Sequence, residues 1–376
     1  MDNILLSAAL AFLITFFAIP VIIQLAKDKK VFDEPDERKV HKTVIPTLGG
    51  LGIFAGFIVA ILMGVPPVIA SELQYFAAAA TLIFFLGIKD DILVLSVTKK
   101  FIGQLIAAGI IIKFGGVRIT DMHGFLGMNQ IPPVASIVLS LLTIILITNS
   151  FNLIDGVDGL AGSLGLLTTI LFGTYFFYAG QLMYGIMAFS LAGSILAFLI
   201  YNFSPAKIFM GDTGSLLLGL INSILVIKFI NIAGSPVSNF PIQSSPAIGF
   251  AILMIPLFDT LRVFTIRILN RRSPFSPDRN HVHHFLLDLG LNHKMVTLTC
   301  VGANIVFIGL AFAMRNMGTT TTIASLLVLA FLFMGIIYYY SRLKTRQMQQ
   351  VGGATKTKIV STHKVLSLAI DSVEVE

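Results

Sequence analysis

The chain has 376 residues, 56% of them hydrophobic and 12% charged, with 26 Lys and Arg against 19 Asp and Glu. A soluble domain carries roughly 25% charged residues. This composition and a mean hydropathy of +0.89 therefore exclude an ordinary soluble domain and imply an integral membrane protein. In such a protein the net charge of +7 marks topology through basic cytoplasmic loops and gives no reason to expect nucleic acid. The single cysteine, Cys300, sits in an apolar run and leaves no internal disulfide framework.

A bilayer core needs about 20 apolar residues per helix. Eleven runs are candidates: 4–25, 47–69, 73–89, 101–117, 132–150, 161–179, 182–201, 213–233, 247–266, 296–314 and 320–340. The first lacks a basic leader and a small-residue exit, so it reads as an uncleaved helix. The expected fold is an all-α polytopic membrane protein of about eleven transmembrane helices over 1–340. Residues 341–376 then form a flexible cytoplasmic tail, whose lysines would lie near anionic lipid. Glycines such as Gly49, Gly50, Gly52 and Gly56 permit close helix contact.

With the amino terminus outside, alternate loops place 22 of the 26 Lys and Arg inside. The positive-inside rule favours that orientation. It puts every unusual polar cluster on the cytoplasmic side, after the third, fifth, seventh and ninth runs.

Ionisable residues at the edge of a membrane core are costly, so they are functional candidates. The first cluster is Asp90-Asp91. Neighbouring carboxylates repel unless a cation or donor lies between them. On a helix they diverge by about 100°, so one is expected to face a site while the other caps or hydrogen-bonds nearby. A plain capping pair reads the same way.

Next comes NSFNLIDGVDGLAGS, residues 149–163. Asn149, Asn152, Asp155 and Asp158 recur every three residues, which on a helix puts them on roughly one face. The interleaved glycines suit close approach to a phosphate-bearing ligand, and an Asp-capped turn is the structural alternative. In NFSPAKIFMGDTGS, residues 202–215, Asp212 opens a helix, where a carboxylate can hold Mg²⁺ against phosphate. Phe209 offers a ring for a base or an interfacial anchor. In PDRNHVHHFLLDLG, residues 277–290, His281, His283 and His284 are too close together for ordinary zinc spacing. With Arg279 they suit phosphate or sugar, or simply a solvated basic loop. No P-loop or strand-linked G-x-G-x-x-G is present.

Taken together and in order, the DD pair, NxxNLIDGVDGLAG, NxxPAKIFMGDTGS and HVHH resemble the polyprenyl-phosphate N-acetylhexosamine-1-phosphate transferases, across roughly residues 5–340. The KTVIPTLGG stretch at 42–50 is similar to that family's first cytoplasmic loop. HVHH resembles the H-[IV]-H-H form of the enzymes that use UDP-N-acetylglucosamine, whereas three consecutive histidines mark the branch that uses UDP-N-acetylmuramoyl-pentapeptide. The tail carries no family motif.

The resemblance implies transfer of GlcNAc-1-phosphate from UDP-GlcNAc to undecaprenyl phosphate with release of UMP, for cell-wall or surface-polysaccharide synthesis. It further implies a plasma (inner) membrane location, Mg²⁺ or Mn²⁺ in its place, and commonly a homodimer. It assigns Asp212 as metal ligand and Asp90, Asp91 and Asp155 as catalytic carboxylates, with the DD pair beside the acceptor phosphate. Lys100 would neutralise a phosphate. Asn149, Asn152, Asp158, Asn202 and Phe209 would hold the nucleotide sugar, and Arg279, His281, His283 and His284 the diphosphate or sugar. Two other classes fit less well. A transporter keeps its acids near the midplane, and a CDP-alcohol enzyme needs an arginine that DGVDGLAG lacks.

Overall fold

The computed structural model describes residues 2–29, 32–33, 45–274 and 280–344. Arg279, residues 42–44 of the first-loop motif and the tail beyond Lys344 lie outside them. The described helices are α1 (Asp2–Lys29), α2 (Gly49–Gly64), α3 (Leu73–Leu93), α4 (Val97–Lys113), α5 (Pro133–Ile154) and α6 (Leu160–Tyr178). They continue with α7 (Leu182–Asn202), α8 (Gly211–Ala233), α9 (Ser245–Ile252), α10 (Met254–Leu269), α11 (Val282–Asp288), α12 (His293–Met314) and α13 (Thr319–Lys344).

Each of the eleven apolar runs overlaps a helix. Among the described residues, seven helices (α1, α5, α6, α7, α8, α12 and α13) are long and apolar enough to cross a membrane, or eight if the bent pair α9–α10 is one span. The protein is thus an all-α, multi-pass membrane protein. Among the described residues, sheet is confined to two short strand pairs. One pairs β1 (Phe32–Asp33) with β2 (Ile45–Pro46), and the other β3 (Asp121–Phe125) with β4 (Met128–Gln130).

Local sequence explains several helix starts. Pro133 opens α5, where a missing N–H costs nothing. Asn292 caps α12 by accepting the Met295 N–H at 2.9 Å. The centre of the bundle is α8, which packs against α2, α3, α5 and α6. It is apolar on all sides and buried along nearly its whole length, the pattern expected of a helix enclosed by others.

The ninth run is not one continuous helix. It breaks at Leu253, and the axes of α9 and α10 differ by 84°. A break inside an apolar bundle exposes backbone groups that lipid cannot satisfy. Here Asn304 of α12 satisfies two of them: its amide nitrogen donates to Ile252 O and its oxygen accepts the Ile255 N–H, both at 2.9 Å. Asn304 is fully buried. Apolar periodicity carries no trace of such a break, because the residue that permits it lies some fifty positions downstream.

Replacing Asn304 with Leu leaves both groups unpaired, at about 1–3 kcal/mol for each. Thermal unfolding of the detergent-solubilised variant should show a loss of several degrees or more, and an unchanged melting point would refute this account of the break.

Candidate active site

The start of α8 is held first by the Pro46–Gly50 segment. Phe209 N–H donates to Pro46 O at 2.7 Å, while Gly49 and Gly50 N–H donate to Phe209 O and Met210 O at 2.9 and 2.8 Å. These bonds join the IPTLGG and KIFMG stretches. Gly211 has φ +70°, and a Cβ there would lie 2.3 Å from Thr47 O and 2.7 Å from an Asp91 oxygen. Both the backbone conformation and the space require glycine.

Asp91 caps α8 from another helix. Its Oδ1 accepts the Asp212 N–H at 2.7 Å, and its Oδ2 accepts the Thr213 N–H at 3.1 Å and the Thr213 hydroxyl at 2.6 Å. Asp90 points elsewhere. One oxygen accepts the Leu95 N–H at 2.5 Å and the other pairs with Lys100 Nζ at 2.6 Å. The two adjacent aspartates therefore divide as their helical divergence requires.

Lys100 Nζ also contacts Asp212 Oδ2, so one ammonium bridges two carboxylates. The other oxygen of Asp212 accepts from Asn152 Nδ2 at 2.7 Å, and the same amide group reaches Ser215 Oγ at 3.0 Å. Ends of α3, α4, α5 and α8 thus meet in one cluster of Asp90, Lys100, Asn152 and Asp212. A cavity of about 120 Å³ adjoins it between α4 and α5, lined by Leu95, Val97, Lys100, Phe101, Gln104, Asn149, Asn152 and Leu153.

The three-residue spacing in 149–158 does not make one helical face. Helix α5 ends at Ile154, so only Asn149 and Asn152 follow its periodicity. Asn149 is buried and pairs with Gln104 of α4, donating to Oε1 at 2.8 Å. Asp155 is the half-buried C-cap residue of α5. Burial, and after it the charges of Asp212, Asp91 and Asp158, pushes its carboxyl up to about 8.

Asp158 is buried and held by the protein. Its Oδ2 accepts the Ala206 N–H at 3.1 Å, its Oδ1 lies 3.1 Å from His293 Nδ1, and its carbonyl accepts from Thr297 Oγ1 at 2.9 Å. Asn202 ties the same loops, accepting the Gly159 N–H at 2.9 Å and donating to Ile208 O at 2.8 Å. Phe209 is half-buried beside them.

The histidine segment closes over this loop. His281 Nδ1 lies 2.7 Å from Asp259 Oδ2, and its ring stacks on that of His283 at 5.6 Å and 8°. His284 lies next to His283, with ring centroids 4.4 Å apart. A Cβ on Gly156 would sit 2.6 Å from His283 Nε2, so the first DG glycine is the seat of that imidazole. Burial first, then the neighbouring histidines, lowers His283 to about 3, and it stays neutral at physiological pH.

Asp259, Gln104 and His293 went unmarked in the sequence. Asp259 had one local signal, a charge in the apolar run IPLFDTLRVF with Arg262 three residues on.

Two outcomes follow. Asp91→Ala removes an acceptor from two amides and a hydroxyl, so it should lose about 1–3 kcal/mol of stability, whereas Asp90→Asn should stay within about 0.5 kcal/mol. Equal melting shifts in detergent would contradict this division. His283 provides a pH test. Its folded value lies below the ordinary 6.5, so between about pH 6.5 and 3 the unfolded chain binds a proton that the folded chain refuses. Stability falls as pH drops through that window, and His283→Asn should flatten the slope between pH 7 and 5.

Known proteins are similar in sequence to these segments. The family model of glycosyl transferase family 4 matches residues 73–230, the stretch from α3 to α8 that carries the whole aspartate cluster. The chain is 34% identical over 309 residues, 79% of this chain and 82% of the relative, to a probable undecaprenyl-phosphate N-acetylglucosaminyl 1-phosphate transferase of Bacillus subtilis. It is 33% identical over 314 residues, 77% of this chain and 76% of the relative, to a decaprenyl-phosphate N-acetylglucosaminephosphotransferase of Mycobacterium tuberculosis. It is 26% identical over 358 residues, 91% of this chain and 95% of the relative, to an undecaprenyl-phosphate alpha-N-acetylglucosaminyl 1-phosphate transferase of Escherichia coli. By this similarity over most of its length, the chain belongs to glycosyl transferase family 4.

Proposed function

We propose that this protein transfers GlcNAc-1-phosphate from UDP-GlcNAc to undecaprenyl phosphate and releases UMP. The observation that carries this reading is the Asp90–Lys100–Asp212–Asn152 cluster, built from four helix ends. The names of the relatives support the transferred group and the polyprenyl acceptor. The basic residues gathered in alternate loops support a cytoplasmic site and an amino terminus outside. The eleven apolar runs of the sequence support eleven spans in the plasma membrane.

In this reaction an anionic lipid-phosphate oxygen attacks the diphosphate phosphorus next to the sugar, and the leaving group is also anionic. Charge repulsion is the main physical obstacle. The donor set fits Mg²⁺, a hard cation that commonly takes one or two carboxylates and completes its shell with substrate phosphate and water. Asp212 and Asp90 offer hard oxygens that already hold one cation, the Lys100 ammonium. Among the described residues no three acidic, histidine or cysteine groups form a full cage, so phosphate oxygens and water would complete the coordination. Bound there, Mg²⁺ supplies neutralisation of the diphosphate and a fixed in-line geometry.

The remaining work falls to the chain. Asn152 holds Asp212 in one orientation. Asp91 fixes the helix start that carries Asp212. Lys100 stands between the two carboxylates and can exchange one of them for the acceptor phosphate. The adjoining cavity, with Leu95, Val97, Phe101 and Leu153 in its wall, suits the first isoprene units of that acceptor. At pH 7 a phosphate with a second pKa near 6 is already mostly dianionic, so a strong base is not needed. The histidine segment, with His283 seated against Gly156 of the DG loop, suits the diphosphate or sugar.

Purified protein, radiolabelled UDP-GlcNAc, undecaprenyl phosphate and Mg²⁺ should yield lipid-linked label and UMP, and EDTA should stop both. UDP-MurNAc-pentapeptide and other UDP-N-acetylhexosamines should be poorer donors. Asp212→Asn should lower turnover by about 100-fold or more, the scale of a lost preorganised electrostatic contact, with its melting point retained. Full activity in that variant would falsify the assignment of Asp212.

A further inference from the structure

We propose that Asp259 is a positioning residue of this reaction, locking His281 so that its Nε2 edge faces the substrate; this rests on the transferase reading above. Asp259 stands in the second turn of α10, after the break in the ninth run, and is almost fully buried. Its carboxylate makes three contacts. Oδ2 lies 2.7 Å from His281 Nδ1, while Oδ1 accepts the Val282 N–H at 2.9 Å and an Arg262 guanidinium N–H at 2.8 Å. Arg262 in turn donates to Asn280 O and lies over the Phe285 ring. One turn of α10 therefore grips residues 280–285 through two backbone groups, an imidazole and an aromatic face.

The chemistry of an imidazole next to a carboxylate sets its tautomer. Nδ1 carries the proton that Asp259 accepts, and Nε2 is left as the working nitrogen on the opposite edge. The ring cannot turn, because it also stacks in parallel on His283, which is seated against Gly156. His283 is neutral and buried, so it serves as a wall, and His281 is the imidazole whose orientation is actively held. Asp259 touches no substrate in this arrangement and acts through His281. A carboxylate that served the fold alone would need the Val282 backbone contact and the Arg262 pair, but not the Nδ1 contact.

The test uses the full-length enzyme in detergent, with UMP release as readout. Asp259→Asn should lower kcat about tenfold or more, a usual consequence of losing a group that orients a histidine. The KM values for both substrates should change by less than about threefold. In a His281→Asn background the same substitution should have almost no further effect on kcat. Multiplicative losses in the double variant overturn the proposal, as does a loss confined to melting temperature.

If Asp259→Asn does not fold, the His281 variants still decide. A glutamine amide extends to the position of Nε2, while an asparagine amide reaches only that of Nδ1. His281→Gln should therefore retain several-fold more activity than His281→Asn, and the reverse order overturns the proposal. A wild-type enzyme that releases no UMP overturns both this inference and the transferase reading. An active wild type with multiplicative losses overturns the positioning role alone.

Discussion

A helix that begins inside a protein leaves its first amides without partners, and for α8 those amides meet the Asp91 carboxylate from α3. The rest of the site depends on this contact. It anchors the first turn of α8, which carries Asp212, and it does so with a negative charge placed where the helix dipole favours one. Asp90, one residue earlier, is thereby left free to face the opposite way and share Lys100 with Asp212. Two neighbouring carboxylates that would otherwise repel each other are separated by giving one an amide partner and the other an ammonium.

Close packing makes that geometry stiff. The crossing of α2 over the start of α8 is so tight that a Cβ on Gly50 would lie 2.2 Å from Gly214 N. The Pro46–Gly50 segment is hydrogen-bonded to Phe209 and Met210. On the other side, Asp158 and Asn202 bind the DG loop to the 203–208 loop and to α12. The carboxylates thus sit on helix ends and short tied segments, with little freedom to relax toward solvent. A rigid cluster that holds negative charge in place leaves a cation as the natural means of balancing it.

Much of this was legible in the sequence because membrane helices are written in apolar length and acids at their ends are conspicuous. The opposite roles of Asp90 and Asp91 follow from a 100° turn per residue. What the sequence could not show is long-range. The cap on α8 joins positions about 120 residues apart, and the lysine between Asp90 and Asp212 reaches across three helices. The 149–158 spacing looked like one face only because nothing in it announced that α5 stops at Ile154. Asn149 instead finds Gln104, a residue with no motif around it. Asn304 and Asp259 were hidden for the same reason: each is a single polar residue in an apolar run, and its meaning lies in a partner elsewhere.

The break between α9 and α10 connects the fold to the chemistry. A continuous helix over 247–266 would carry Asp259 and Arg262 straight along the bundle axis. An 84° turn sends α10 off in a new direction and brings its second turn against the histidine segment. Such a turn leaves backbone groups unpaired among buried residues, and Asn304 supplies both a donor and an acceptor at that place. The buried asparagine on α12 and the buried aspartate on α10 are therefore parts of one device. The first makes the bend tolerable, and the second uses the bend to hold a histidine over the loop that carries Asp155.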